Sequence, residues 1–378
     1  MQDCPIKVGF VVQMPEVWNK QAPVYEEMVR DPRFDPWLIV VPSYNLTTRR
    51  REGYGAELAY FRKSYPDGQI LTNVDLGEDF SGMPSCGFHY VFISRCWEAN
   101  VPDALRTRHI IQYAKTCYIP YVFHCFNEHS SYYNTRFFNS LYLMFCSSDD
   151  QKTIYTPKDR RKSLSLGYPG LSPITYSPPR AEKKMILWTP RWEKSLEYGG
   201  TSFFDYRNLF IPLKERNPEY QIVMRPHPLT FEHAIQNGSM TENEATEYVA
   251  KQKAHGILFD ENKSIDSTLP EVDVLLTDFS SVIVDALLFG KPIIYCGKKT
   301  NAQPNSTLLE ILDAVYIARN WDDVVRYLEM LFRNEDPLLS KREQLAKRMV
   351  EKNKNSCKAI LDYLIFDASR QKELRNPS

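Results

Sequence analysis

The sequence contains no Cys-x-x-Cys pair. Its eight cysteines (Cys4, Cys86, Cys96, Cys117, Cys125, Cys146, Cys296 and Cys357) stand singly, several inside apolar runs such as LYLMFC. That scatter argues against a disulfide-dense scaffold and predicts reduced, buried thiols. An excess of charge of one sign is also missing. Lys+Arg and Asp+Glu both total 47, so no global field draws nucleic acid or an acidic membrane, and any bound anion must be held locally. No window reaches the roughly 18 apolar residues of a membrane span. The opening MQDCPIKVGFVVQ lacks a basic leader and a cleavage site, which predicts no signal peptide. Several catalytic signatures are absent as well: GxxxxGK[ST], GxGxxG after the first strand, HExxH, GxSxG and a DxD metal pair. Kinase, dehydrogenase, zinc-protease and esterase readings lose ground accordingly, and no cofactor or metal is implied.

What is present is alternation. The 378 residues exceed one ordinary hydrophobic core. Short apolar runs alternate with longer amphipathic segments, the pattern of parallel-sheet α/β domains. Strands are predicted at 6–12, 37–41, 90–94, 121–124, 142–147 and 163–166, with helices at 20–30, 56–65, 102–115 and 132–139. After the polar, proline-bearing SPITYSPPRAEKK the pattern restarts, with strands at 185–189, 220–224, 257–259, 272–277, 292–295 and 314–318. Helices follow at 203–216, 243–253, 282–289, 321–332, 340–351 and 357–366. The expectation is two doubly wound Rossmann-like domains facing a cleft. They span 1–175 and 176–355, and a C-terminal helix in 356–378 is free to cross back to the first. In such sheets ligands sit beyond the carboxyl ends of the strands, so residues just after strands carry most of the functional weight.

Three strand ends stand out. In VDVLLTDFSSVIVDALLFGKPIIYC, Thr277, Asp278, Ser280 and Ser281 precede a helix whose first N–H groups suit an anion; Asp278 or Ser280 can cap it, and a purely structural cap stays open. Asp285 lies four residues beyond Ser281 on an otherwise apolar helix, where an unpaired buried carboxylate would be costly. In YQIVMRPHPL, two prolines pin the backbone around His227, and Arg225 offers a planar donor fork to phosphate oxygens. In MILWTPRW, Thr189 and Arg191 leave a strand end; Arg191 is a phosphate contact or Trp192 merely covers the core. In the first half, YVFHCFNEHSS supplies His124 and His129, either of which can act as general base.

RPHP, then TDFSS with Asp285 and a following Lys-Pro, preceded by a strand ending Thr-Pro, resembles the CDP-glycerol glycerophosphotransferase family of teichoic-acid primases and polymerases and related capsule enzymes. The likeness runs from about residue 85 to 365, and GYP at 167–169 adds to it. It implies a GT-B-type fold and transfer of a polyol phosphate from a CDP-linked donor to an acceptor hydroxyl on a lipid-linked or glycan acceptor. Arg225, His227, Thr277, Asp278, Ser280 and Ser281 would hold the donor diphosphate, Thr189, Arg191 and Asp285 the nucleotide or polyol, and His124 and His227 would be catalytic. The family's His-Gly pair with a following lysine is replaced here by His124-Cys125-Phe126. A nucleotide-sugar glycosyltransferase, a nucleotide-sugar epimerase and, given the lost His-Gly-Lys arrangement, a catalytically silent binding module are the competing readings. The expected setting is cytoplasmic. The basic stretch 340–356 could touch the inner membrane face, although a solvated helix face is the simpler account. Nothing in these motifs fixes an oligomeric state.

Overall fold

The computed structural model describes residues 4–45, 50–51, 53–98, 101–127, 135–171, 184–196, 199–262, 264–298 and 303–375. The chain divides into two compact units. One comprises Met1–His124, His129–Pro173 and Lys352–Ser378, the other Cys125–Glu128 and Ile174–Glu351. Most of the proline-bearing stretch, His129 and the start of the 132–139 helix lie outside the described residues.

The first unit is built on seven parallel strands: β1 (Ile6–Val12), β2 (Phe34–Val40), β3 (Gln69–Leu71), β4 (Tyr90–Ile93), β5 (Lys115–Tyr118), β6 (Leu143–Phe145) and β7 (Ser163–Leu164). Their order is β7-β6-β5-β4-β1-β2-β3. The central strands are covered on both faces, which is why they read as unbroken apolar runs. Phe10 meets Trp18 and Tyr25 edge-on and stacks on Phe92 at 4.9 Å. Helix α1 (Ala22–Arg30) turns Val24, Tyr25 and Met28 inward.

The second unit repeats the plan with β8 (Met185–Thr189), β9 (Gln221–Met224), β10 (Leu258–Phe259), β11 (Val274–Thr277), β12 (Ile293–Tyr295) and β13 (Tyr316–Ile317), ordered β10-β9-β8-β11-β12-β13, all parallel. Trp188, fully buried, stacks on Phe203 and lies 4.4 Å from Phe210. Burying each side chain of this size stabilises by about 1.5–3 kcal/mol. Helix α2 (Val282–Leu288) follows β11, and Gly290, at φ +70°, stops it in a left-handed turn that a side chain would strain. Helix α3 (Leu339–Asn353) and helix α4 (Ser356–Arg375) complete the chain. α4 belongs to the first unit, where it packs on α1.

Three elements differ from expectation. The strand expected at 121–124 is instead Lys115–Tyr118; past its end Ile119 donates to Ile93 and Tyr121 to Ser94, on either side of Pro120, which has no N–H to give. The long helix expected at 102–115 is two short turns, Asp103–Leu105 and Thr107–Ile110. The helix expected at 203–216 breaks into Phe203–Tyr206 and Phe210–Arg216, which places Pro212 in the first turn of the second piece, where a missing N–H costs nothing. The 340–356 stretch is α3 and its neighbours. Among its cations Lys341, Arg342 and Arg348 pair with Asp313, Asp336 and Glu310. Among the described residues no helix is long and apolar enough to cross a membrane.

Candidate functional site

In the second unit the chain runs outward from β8 through β9 to β10, then returns to the other side of β8 for β11, β12 and β13. The order therefore reverses between β8 and β11, and such a switch point leaves room beyond the strands' carboxyl ends. The three motif segments meet there. Thr189 and Thr277 close the sheet edge, with the Thr189 hydroxyl donating to Thr277 Oγ1 at 2.8 Å. Beyond them the Arg191 N–H donates to Asp278 Oδ2 at 3.0 Å, and Arg191 Nη1 donates to the Phe279 carbonyl at 2.9 Å. On the other side Arg225 N–H donates to the Trp188 carbonyl and His227 N–H to the Pro190 carbonyl. Segments 189–192, 225–227 and 277–279 are thus hydrogen-bonded into one structure.

Asp278 lies beneath this surface, 1% exposed. It also accepts from Thr201 Oγ1 at 3.2 Å, from the Ser202 N–H at 2.9 Å and from the Ser202 hydroxyl. Burial raises its carboxyl above the usual range, against the lowering effect of these bonds. Asp278 does not cap α2, as the sequence allowed. Its oxygens are engaged elsewhere, and Ser280 Oγ takes the Val282 N–H at 3.4 Å. Thr189, Thr277 and Asp278 are buried, whereas Arg191, Ser280 and Ser281 are half-buried. Asp285 is buried on α2.

Arg225 is held by a residue the motif reading missed. Its Nη1 donates to Asp260 Oδ2 at 2.6 Å and to the Asn262 carbonyl at 2.8 Å. Asp260 also accepts from Thr268 Oγ1 and from the Asn262 N–H. A signal was available: Asp260 follows the short strand Leu258–Phe259 just as Arg225 follows β9. Thr201 and Ser202 were missed too, and no local pattern marks them.

His227 is open to solvent yet crowded by protein. Desolvation first, then the charges of Arg191 and His233, push its pKa down to about 4. Its Nδ1 accepts the Leu229 N–H at 3.1 Å, so the neutral ring carries its proton on Nε2 and presents a donor. Trp192 stands beside it, 6.1 Å from its ring and 4.2 Å from that of His233. His124 lies in the first unit, half-buried. Its N–H donates to Ser147 Oγ at 3.1 Å, and burial lowers its pKa to about 4.

Two parallel-sheet α/β units, with polar loops at the switch point of the second, give the chain the GT-B plan. UDP-GlcNAc 2-epimerase from Neisseria meningitidis, solved with UDP-GlcNAc, is similar over 95% of this chain and 99% of its own, at TM-score 0.58 and 12% identity. The wall teichoic acid polymerase TagF soaked with CDPG is similar over 99% of this chain and 91% of its own, at TM-score 0.56 and 12% identity. A glycosyltransferase from Rickettsia africae is similar over 99% and 100%, at TM-score 0.54 and 12% identity. These likenesses establish the fold. Among curated proteins none matches in sequence. Residues 175–365 match the CDP-Glycerol:Poly(glycerophosphate) glycerophosphotransferase family, and the chain belongs to it.

Proposed function

We propose that this chain transfers a polyol phosphate, glycerol phosphate or a close relative, from a CDP-linked donor to an acceptor hydroxyl in the synthesis of a cell-surface polymer. The observation that carries this reading is the joining of Arg191, Arg225-Pro-His227 and Thr277–Ser281 at one switch point, in a chain of this family. The acceptor oxygen attacks the donor's distal phosphorus, the bridging P–O bond breaks, and CMP leaves. Negative charge grows on the departing oxygen, and preorganised donors aimed at it stabilise that charge.

In this reading Arg191, Arg225 and the Nε2–H of neutral His227 face the diphosphate, and Ser280 and Ser281 add hydroxyl and backbone donors. Asp260 neutralises Arg225 and fixes its fork, so the gain is orientation more than net charge. Thr189, Thr277 and Asp278 are positioning residues, with Asp278 acting through Arg191 and the 201–202 turn. His124, neutral at physiological pH, accepts the proton of the attacking hydroxyl. The reaction is cytoplasmic, and Asp285 serves the polyol or nucleotide end.

The test is release of nucleotide from CDP-glycerol, CDP-ribitol and a panel of UDP- and GDP-sugars, with and without a glycerol-phosphate oligomer. CMP release that needs the oligomer supports the transferase. UDP release with a glycan acceptor would move the assignment to a glycosyltransferase, and an isomerised sugar nucleotide formed without any acceptor would make it an epimerase. His124→Ala and His227→Ala should each lower kcat by about 10²- to 10⁴-fold. Unchanged turnover in both would sink the mechanism.

A further inference from the structure

The first unit has its own switch point. β1 is flanked by β2, its successor, and by β4, which the chain reaches only after passing β3 at the far edge. Beyond the carboxyl ends of β1 and β4 lies a recess of ≈ 30 Å³, lined by Gln13, Trp18, Gln21, Arg95, Trp97 and Glu98 among others. That volume holds one small group such as a phosphate, and the rest of a longer ligand lies outside it.

Among the described residues no carboxylate answers its arginine, and one buried amide donor is unsatisfied. Arg95 is half-buried, and burial lowers its pKa. Among the described residues its hydrogen-bond partner is a neutral amide, Gln13 Oε1 at 3.0 Å, and no ion pair includes it. Gln13 is itself fixed by donating from Nε2 to the Pro42 carbonyl at 2.9 Å. A half-buried guanidinium with no carboxylate partner gains from an anion that reaches it. Gln21, 1% exposed, adds a second observation, because its side-chain Nε2 has no hydrogen-bond partner in the protein. The one carboxylate on the wall, Glu98, is turned to the Thr107 N–H and hydroxyl, where it caps a helical turn. Trp18, Val17 and Leu105 supply an apolar wall for a short carbon skeleton.

We propose that this recess binds a phosphate ester of a short polyol, with Arg95 gripping the phosphate oxygens. The planar fork of arginine suits phosphate. On the transferase reading, on which this last assignment rests, the ester is the phosphate-bearing end of the acceptor.

The experiment is hydrogen-exchange mass spectrometry on the full chain with glycerol 3-phosphate, inorganic phosphate or glycerol, together with tryptophan-fluorescence titration. Glycerol 3-phosphate should protect peptides spanning residues 11–21 and 93–105, and glycerol should protect neither. Inorganic phosphate should bind about tenfold more weakly, the worth of one or two polyol contacts. Arg95→Met should weaken the ester about 10- to 100-fold, as expected for a lost charge-assisted hydrogen bond, and Arg95→Lys should weaken it less. His227→Ala should leave this affinity unchanged. Protection confined to the second unit, or equal binding of the ester and inorganic phosphate, overturns the proposal. The exchange map of the unaltered protein decides even if Arg95→Met does not fold. The two readings fail separately: no CMP from either CDP-glycerol or CDP-ribitol sinks the transferase, whereas no protection at 93–105 sinks this site.

Discussion

Asp278 is the residue on which the second site's geometry turns, because its two oxygens gather donors from segments far apart in sequence. Asp278→Ala orphans the Arg191 and Ser202 N–H groups and two hydroxyls in a water-poor place. Urea unfolding should show a loss of about 3–5 kcal/mol. Asp278→Asn keeps one acceptor oxygen and should fall between the two. His124 carries a second prediction at this scale. Its folded pKa, about 4, lies below the unfolded value of 6.5. Above pH 6.5 both states are neutral and the group contributes no pH dependence. As pH falls from there towards 4, the unfolded chain takes up the proton first, and stability drops by on the order of 3 kcal/mol. His124→Gln should flatten the fall in unfolding free energy between pH 7 and pH 4.5; an unaltered slope would show that the ring is not desolvated.

At the scale of elements, α4 is tied to the first sheet by one carboxylate. Asp367 Oδ2 accepts from Tyr90 Oη and Lys115 Nζ, and Oδ1 from Tyr142 Oη, each at 2.6 Å. Burial alone would raise this carboxyl, but the three bonds outweigh it and hold it below the usual range. The linkage has the opposite sense to that of His124. The stabilisation is present above the unfolded carboxylate pKa and is lost as pH falls through the folded one. Asp367→Ala should cost about 2–4 kcal/mol at pH 7 and less under acid, read from denaturant midpoints at both pH values. An equal cost at pH 7 and pH 3 would mean the charge does not anchor the helix.

For the whole molecule, two units with separate cores make ligand binding a local stabiliser. If the second unit holds the donor diphosphate, CDP should raise apparent stability by about 2.7 kcal/mol at a hundredfold excess over its Kd. Exchange protection should fall at 189–192, 225–227 and 277–281. UDP or GDP giving the larger thermal shift would remove the cytidine assignment.

The two sheets and the motif-bearing strand ends were legible along the chain, since a strand buried on both faces must be a local apolar run and its polar successor is its neighbour in sequence. β8 and the helix at 321–332 were placed to the residue for that reason. The three-residue β3 was too short to show a pattern, and β5 fell at 115–118, before the apolar run that suggested it. Partnerships were hidden altogether. Arg225 finds Asp260 35 positions on, Arg191 meets Asp278 87 away, and Tyr90 reaches Asp367 across 277. No periodicity encodes such pairings. Burial drives a charged group to the one partner that chain packing brings within 3 Å, and that choice exists only once the sheets have formed.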